Sequence, residues 1–262
     1  MPLTVFRYWV GRNETYEVKK EFKGKLCAYC NVRRATTDDH VIGKKFFPQP
    51  LRGNLPKVPA CKECNNKKGD LERYAMAVFP FGSSHPAGEE MLRTKVEARL
   101  KKDQRLHRQL RQGQRDVPVV NPNGTTETRF AIPLDDEKAL TLFAMIIKGL
   151  LWHHCQSPLP SAYVVRLFSF TDVGIGLFRQ HILSLSQEQF QMIVLAEGAF
   201  QYEFTRNTQD PFFSVWVLNI YGLLSMCDIT ADGQLLRCHV AALTGPAEEI
   251  NPLADAIEKK AL

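Results

Sequence analysis

Two short cysteine motifs, Cys27-Ala-Tyr-Cys30 and Cys61-Lys-Glu-Cys64, constrain this chain more than anything else in it; 31 positions separate Cys30 from Cys61. Residues 27–70 are rich in Gly, Pro, Asn and charge and hold no long apolar run. Such a stretch cannot fold on a hydrophobic core of its own and needs a staple. Four thiolates at ~2.3 Å around one zinc would supply it, as a closed structural site with no position left for substrate. The competing use, dithiol redox chemistry, needs one reactive pair in a thioredoxin-like context, which is missing here. Cys155, Cys227 and Cys238 are scattered among apolar residues and read as buried thiols. An odd total of 7 cysteines, with no export signal, argues against a disulfide framework.

The rest of the chain is long enough for a real core. Its 262 residues are 44% hydrophobic and 24% charged, which excludes intrinsic disorder and predicts one large domain or two small ones. The greasiest stretch, residues 139–152, is interrupted by Lys148, so no membrane span is expected. The N-terminus lacks a cationic region followed by an apolar one and a small-residue cleavage site. A soluble, cytoplasmic chain follows as an expectation.

Charge is divided unevenly. Residues 1–130 carry 26 Lys/Arg against 14 Asp/Glu, and residues 131–262 carry 8 against 14, giving +12 and −6, which sum to the overall +6. A basic half suited to polyanions and an acidic half with another task are implied. The pattern along the chain agrees. Residues 3–10 and 16–18 are strand-like, and a helical pattern starts at Leu71 and breaks near residues 80–86. It resumes over residues 89–112, with Leu92, Val96, Leu100, Leu106 and Leu110 on one stripe and Lys101, Arg105, Arg108, Arg111 and Arg115 opposite. Residues 113–130 read as a loop or hairpin. Asp135-Asp136-Glu137 opens a buried helix running to about His154. Strands are predicted at residues 163–170, 199–205, 214–224 and, more weakly, 235–240, with a helix at 184–195. The expected division is 1–75, a metal-stapled module; 76–130, a basic helical segment and linker; and 131–262, an acidic α+β accessory domain.

The chemistry concentrates between and after the cysteine pairs, in Thr37-Asp38-Asp39-His40-Val41 and Asn65-Asn66-Lys67-Lys68-Gly69-Asp70. A carboxylate grips a hard divalent cation, an imidazole of ordinary pKa ~6.5 can take a proton from water, and an amide oxygen can complete the grip. The plainer alternatives are that Asp39 only hydrogen-bonds a structural His40, that Asp38 rather than Asp39 is the acid, and that Asn65 and Asn66 cap a helix. His153-His154-Cys155 looks like a metal cluster, but neighbours on a helix point ~100° apart and cannot all face one ion.

CAYC, DDHV, Asn54 and PACKECNNKKGD, spanning residues 26–72, resemble the Cys-zinc branch of the HNH nucleases, whose ββα-metal core is held between two zinc knuckles. The resemblance implies an α+β chain with an N-terminal zinc-stapled ββα-metal (HNH) core, followed by helices and a C-terminal mixed α+β domain. It implies structural zinc on Cys27, Cys30, Cys61 and Cys64. It makes His40 the general base, and Asp39 and Asn65 the protein ligands of a catalytic Mg²⁺ or Mn²⁺. Asn54 would orient the loop bearing the base, and Lys68 would touch phosphate. Two departures stand out. Asn54 lies seven residues before Cys61 rather than the usual ~5, and Gly43-Lys44-Lys45-Phe46-Phe47-Pro48 replaces a Gly-rich turn.

The expected function is metal-dependent hydrolysis of DNA phosphodiester bonds, with Lys101, Arg105, Arg108 and Arg111 on the backbone of double-stranded DNA and little sequence reading. The alternative is a non-catalytic zinc-stapled nucleic-acid-binding module. A protein partner recruited by the C-terminal domain would make the chain the effector subunit of a bacterial or phage defence system.

Overall fold

The computed structural model describes residues 20–120, 125–185, 190–222 and 239–261. The strand-like residues 3–10 and 16–18, Cys227, Cys238 and most of the weak strand at 235–240 lie outside these. The described residues form an α+β fold with the four motif cysteines together near its N-terminal end.

The first pair of strands is short and polar. Strand β1 (Thr37–His40) runs antiparallel to β2 (Lys57–Ala60), and helix α1 (Lys62–Val78) follows at once. The connection from β1 to β2 carries 3-10 turns at Lys44–Phe46 and Gln49–Arg52. Phe46 and Phe47, which stand where a Gly-rich turn was expected, are fully buried. Phe46 packs beside Phe79 and Tyr221, and the Tyr221 hydroxyl donates to the Phe46 carbonyl. The connection is thus anchored to the C-terminal half of the chain.

Helix α2 (Pro86–Met91), a π turn (Leu92–Val96) and α3 (Glu97–Lys102) form one run that ends at Asp103. Asp103 leaves helical geometry (φ −114°, ψ 77°) and its carboxylate accepts the Leu106 N–H at 2.9 Å, capping α4 (Gln104–Gly113). The helix expected over 89–112 is therefore broken, because an aspartate that can cap competes with the helix it interrupts. Leu106 and Leu110 are buried, while Lys101, Arg105, Arg108 and Arg111 are exposed. The predicted hairpin is present as β3 (Arg115–Val120) and β4 (Thr126–Ala131).

Helix α5 (Asp136–Cys155) starts where expected, its Asp135 cap accepting the Lys138 N–H at 3.1 Å. Beyond it an antiparallel sheet has the order β5-β9-β8-β7-β6. Its strands are β5 (Tyr163–Phe170), β6 (Gln191–Leu195), β7 (Phe200–Arg206), β8 (Ser214–Ile220) and β9 (His239–Pro246). Helices α6 (Asp172–Leu185) and α7 (Ala247–Ala261) cover one face and α5 the other. Side chains alternate between the faces, so β8 sends Trp216, Leu218 and Ile220 toward α5 and Val215 and Val217 away. Burial on both faces explains its nearly unbroken apolar sequence. The helix expected at 184–195 is a correction: Gln191–Leu195 is a strand, since that apolar run gains a ladder with β7, and the helix precedes it as α6.

The expected boundary near residue 131 is not a break in packing. One buried apolar cluster runs from Phe22 and Cys27 through Phe79 and Phe143 to Trp152, Tyr202 and Trp216. Helix α5 lies between the cysteine module and the sheet, with Phe79 stacked on Phe143 at 5.8 Å. Among the described residues no helix is long and apolar enough to cross a membrane.

Candidate active site and metal centre

Cys61 is the N-cap of α1 and Cys64 lies in its first turn, while Cys27 and Cys30 flank a tight turn closed by the Asn31 N–H on the Cys27 carbonyl at 3.0 Å. Asn31 takes a left-handed conformation there (φ 51°), which Asn tolerates better than most residues. The four ligand atoms lie within 4.8 Å of one another. That spacing suits one metal ion such as zinc, whose ~2.3 Å bonds to sulfur in a tetrahedron put sulfurs ~3.8 Å apart. Burial pushes the Cys27 thiol up, and crowding by the other sulfurs adds to burial at Cys64. At Cys30 burial is outweighed by the backbone N–H groups of Arg33 and Val32, which bring it to about 7. Arg33 adds a guanidinium N–H to Cys61 Sγ at 3.4 Å. It is placed to offset the negative charge that four thiolates leave around a divalent ion. Among the described residues this is the one grouping of three or more His, Cys, Asp or Glu side chains fit for a metal.

Alternation along β1 sends neighbouring side chains to opposite faces. Thr37 and Asp39 face α1. Asn65 donates from Nδ2 to Thr37 Oγ1 at 3.0 Å, so Asn65 and Asp39 share the wedge between β1 and the helix. Asp39 Oδ2 accepts the Tyr29 hydroxyl at 2.6 Å and lies 3.1 Å from the Lys68 ammonium. Burial, then the charge of Asp39, pushes the Tyr29 phenol well up, which keeps it a donor. Asn65 and Asn66 lie inside α1 rather than capping it, because the helix already starts at Lys62.

Lys68 corrects an expectation. Its side chain is 0% exposed, and it donates to the His40 carbonyl at 2.7 Å and to Glu72 Oε1 at 2.5 Å. Glu72 also accepts the Gly43 N–H at 2.8 Å, and burial pushes its carboxyl up despite the ammonium beside it. A lysine buried among these oxygens does not reach phosphate. It ties α1 to the backbone of His40 instead.

On the other face of β1, Asp38 pairs with Lys57 at 2.6 Å, and Lys57 stands directly opposite His40 in the ladder. His40, Lys57, Asn54 and Arg52 line a cleft of about 450 Å³ with Phe22, Leu55, Trp152, His153 and Gln156. Asn54 is exposed in a left-handed turn (φ 56°) after Gly53. Arg52 is held by a bond from Nε to the Phe47 carbonyl at 2.9 Å. Burial, then Lys57, lowers the His40 pKa, so the imidazole is neutral at pH 7 and able to accept a proton. Asp38 falls in pKa because its Lys57 pairing outweighs its burial.

The fold therefore groups His40 with Asn54 on the cleft wall and Asp39 with Asn65 in the wedge, on either side of one strand. Lys57, Arg52 and His153 were missed as cleft residues. Lys57 becomes visible only through the register of β1 on β2. His153 faces the cleft, whereas His154 turns to the sheet, bonding the Tyr202 hydroxyl at 3.0 Å and packing at a tilt with its ring 4.4 Å from that of Phe204. The HHC sequence is thus no metal cluster, as helix geometry requires.

No protein-family model matches this chain, and comparison with curated proteins and with solved structures finds no match.

Proposed function

We propose that this chain is a zinc-stapled endonuclease of the HNH type that hydrolyses DNA phosphodiester bonds. The observation that carries the reading is His40 facing a basic cleft at the end of a hairpin-plus-helix frame whose four cysteines cluster. In this reading His40 takes the proton from the attacking water as the new O–P bond forms and the bond to the leaving 3′ oxygen breaks. Asn54 on the same wall holds the loop and water in place. Lys57 and Arg52 bind the phosphate oxygens, and donors fixed before the reaction stabilise the charge that develops there.

Asp39 and Asn65 each have one polar atom engaged, with Lys68 and Tyr29 or with Thr37, and each keeps an oxygen to offer. That pair fits a hard cation completed by water. Because these ligands lie across β1 from His40, a bound Mg²⁺ or Mn²⁺ would supply Lewis-acid stabilisation only to a phosphate that spans the end of the strand. The exposed Lys101, Arg105, Arg108 and Arg111 would meet the backbone of double-stranded DNA without reading sequence.

The second reading is a zinc-stapled nucleic-acid-binding module without chemistry. It is favoured by the ammonium of Lys68 standing beside Asp39, where it competes with a dication for that carboxylate. Incubating supercoiled plasmid with the purified chain in Mg²⁺ or Mn²⁺, with and without chelator, decides between them. Metal-dependent nicking supports the nuclease; DNA binding without nicking supports the module.

A further inference from the structure

We infer that the C-terminal half of the chain completes the catalytic cleft, with His153 donating an N–H to the phosphate bound beside His40. The inference rests on the nuclease reading and adds a residue that the cysteine module does not contain.

Three placements carry it. First, His153 lines the same cleft as His40, Arg52, Asn54 and Lys57, and Trp152 and Gln156 join it from the end of α5. Second, α5 lies flush against the residue that follows His40. A Cβ added at Gly149 would come within 3.1 Å of both methyl groups of Val41, so only a glycine permits this approach without displacement. Gly149 and His153 are four positions apart and share a helix face, so the contact that seats α5 beside β1 also aims His153 at the cleft. Third, the seat is locked on both sides. Trp152 meets Phe22 edge-on at 5.3 Å, Lys148 reaches the Tyr29 carbonyl at 3.5 Å, and Asn31 Nδ2 donates to the Leu159 carbonyl at 3.1 Å.

The chemistry of the position fits a donor. Glu21, Arg52, Lys57 and His40 are the charged or titratable groups around this cleft besides His153. Burial lowers the His153 pKa, so at neutral pH the ring carries one N–H and one acceptor nitrogen. An N–H in the cleft that Lys57 and Arg52 also line gives a phosphate a third contact, from α5 rather than from the hairpin. A nuclease core cut away from α5 would lack it.

Plasmid nicking by full-length wild type, His153→Ala and His153→Gln in Mg²⁺ and Mn²⁺ tests this, with melting temperature and zinc content matched across the three. Loss of one donor to a developing charge costs ~10²-fold in rate, and that loss is expected for His153→Ala. His153→Gln keeps an N–H at the same reach and should recover most of the rate. His154→Gln, whose ring faces the sheet, should cut at the wild-type rate. Wild-type cutting with an equally active His153→Ala variant overturns the inference and leaves the nuclease reading standing. A His153→Gln variant as slow as His153→Ala overturns the donor role. A wild type that cuts in neither metal removes the nuclease reading and this role with it.

Discussion

The cysteine module and the five-stranded sheet are held together in opposite ways. On β8 and β9, residues such as Val215, Trp216, Val217, Leu218, Ala241, Ala242 and Leu243 are buried in sequence, so the sheet rests on apolar area covered on both faces. The module keeps a polar interior, in which Tyr29, Asp39, Lys68 and Glu72 contact one another around β1 and α1. Its large apolar groups point away from that interior: Val41 onto Gly149, and Phe46 and Phe47 onto Tyr221. A frame whose middle is ionic and whose outside is greasy leans on its neighbour and on the metal that its four cysteines could bind. That dependence explains why helix α5 reaches into the candidate cleft.

The strongest way to break the contrast is to remove the staple. Cys64→Ser should yield insoluble or partly unfolded protein, because structural zinc contributes on the order of 10 kcal/mol to folding such modules. Cys155→Ser, at a half-buried thiol whose nearest acceptor is the Pro211 carbonyl at 3.9 Å, should stay within ~1 kcal/mol of wild type. Urea denaturation and metal analysis read both, with one zinc per chain expected.

Next comes the polar interior. Lys68→Met leaves Asp39 and Glu72 buried without their cation and should destabilise by ~3–5 kcal/mol. Trp216→Ala should cost a similar ~3–5 kcal/mol through a cavity in the sheet. Withdrawing zinc should make the two diverge: the loss from Lys68→Met should vanish, because the module that encloses Asp39 and Glu72 is then already unfolded, while that from Trp216→Ala stays.

Acid provides a smaller test on the sheet side. Burial first, then the charges of His153 and Arg206, lowers the His154 pKa to about 4. Its folded value lies below the ordinary ~6.5, so its contribution is complete above pH 6.5 and is lost as pH falls toward 4. Discounted for the ring's partial exposure, this amounts to on the order of 1–2 kcal/mol. His154→Gln should flatten the stability profile across that window by as much, measured by urea midpoints from pH 7 to 4.

The least effect on stability is expected from the exposed basic residues of α3 and α4. Reversing Lys101, Arg105, Arg108 and Arg111 touches only exposed charges and should move stability by no more than ~0.5 kcal/mol. If the four meet phosphates, each lost contact should flatten the slope of log affinity against log salt by ~0.9 on duplex DNA. An unchanged slope would assign both helices to solvent and place the DNA elsewhere.

The sequence was most legible where a local rule acted alone. The strand at Tyr163–Phe170 announces itself through β-branched and aromatic residues, and α5 through its aspartate cap. The cysteine spacing predicts a four-sulfur cluster, and the four ligand atoms do meet. What stayed hidden depends on partners distant in the chain. Lys68, inside Asn-Asn-Lys-Lys-Gly-Asp, reads as a phosphate-contacting cation until Glu72 one turn on and Asp39 across the wedge enclose it. The pairing of Lys57 with His40 depends on a register set across a long connection. Helix periodicity separates His153 from His154 but does not say that His40 lies across from one and Phe204 from the other. The break at Asp103 was open to a reader who weighed its capping ability against the leucine stripe.

The most direct test of the account is the nicking rate of His40→Ala beside wild type, in Mg²⁺ and in Mn²⁺, at equal zinc content and equal melting temperature. The account predicts a loss of ~10²–10⁴ in rate, the usual worth of a general base, with the fold intact. A folded, zinc-loaded His40→Ala variant that cuts at the wild-type rate would contradict it.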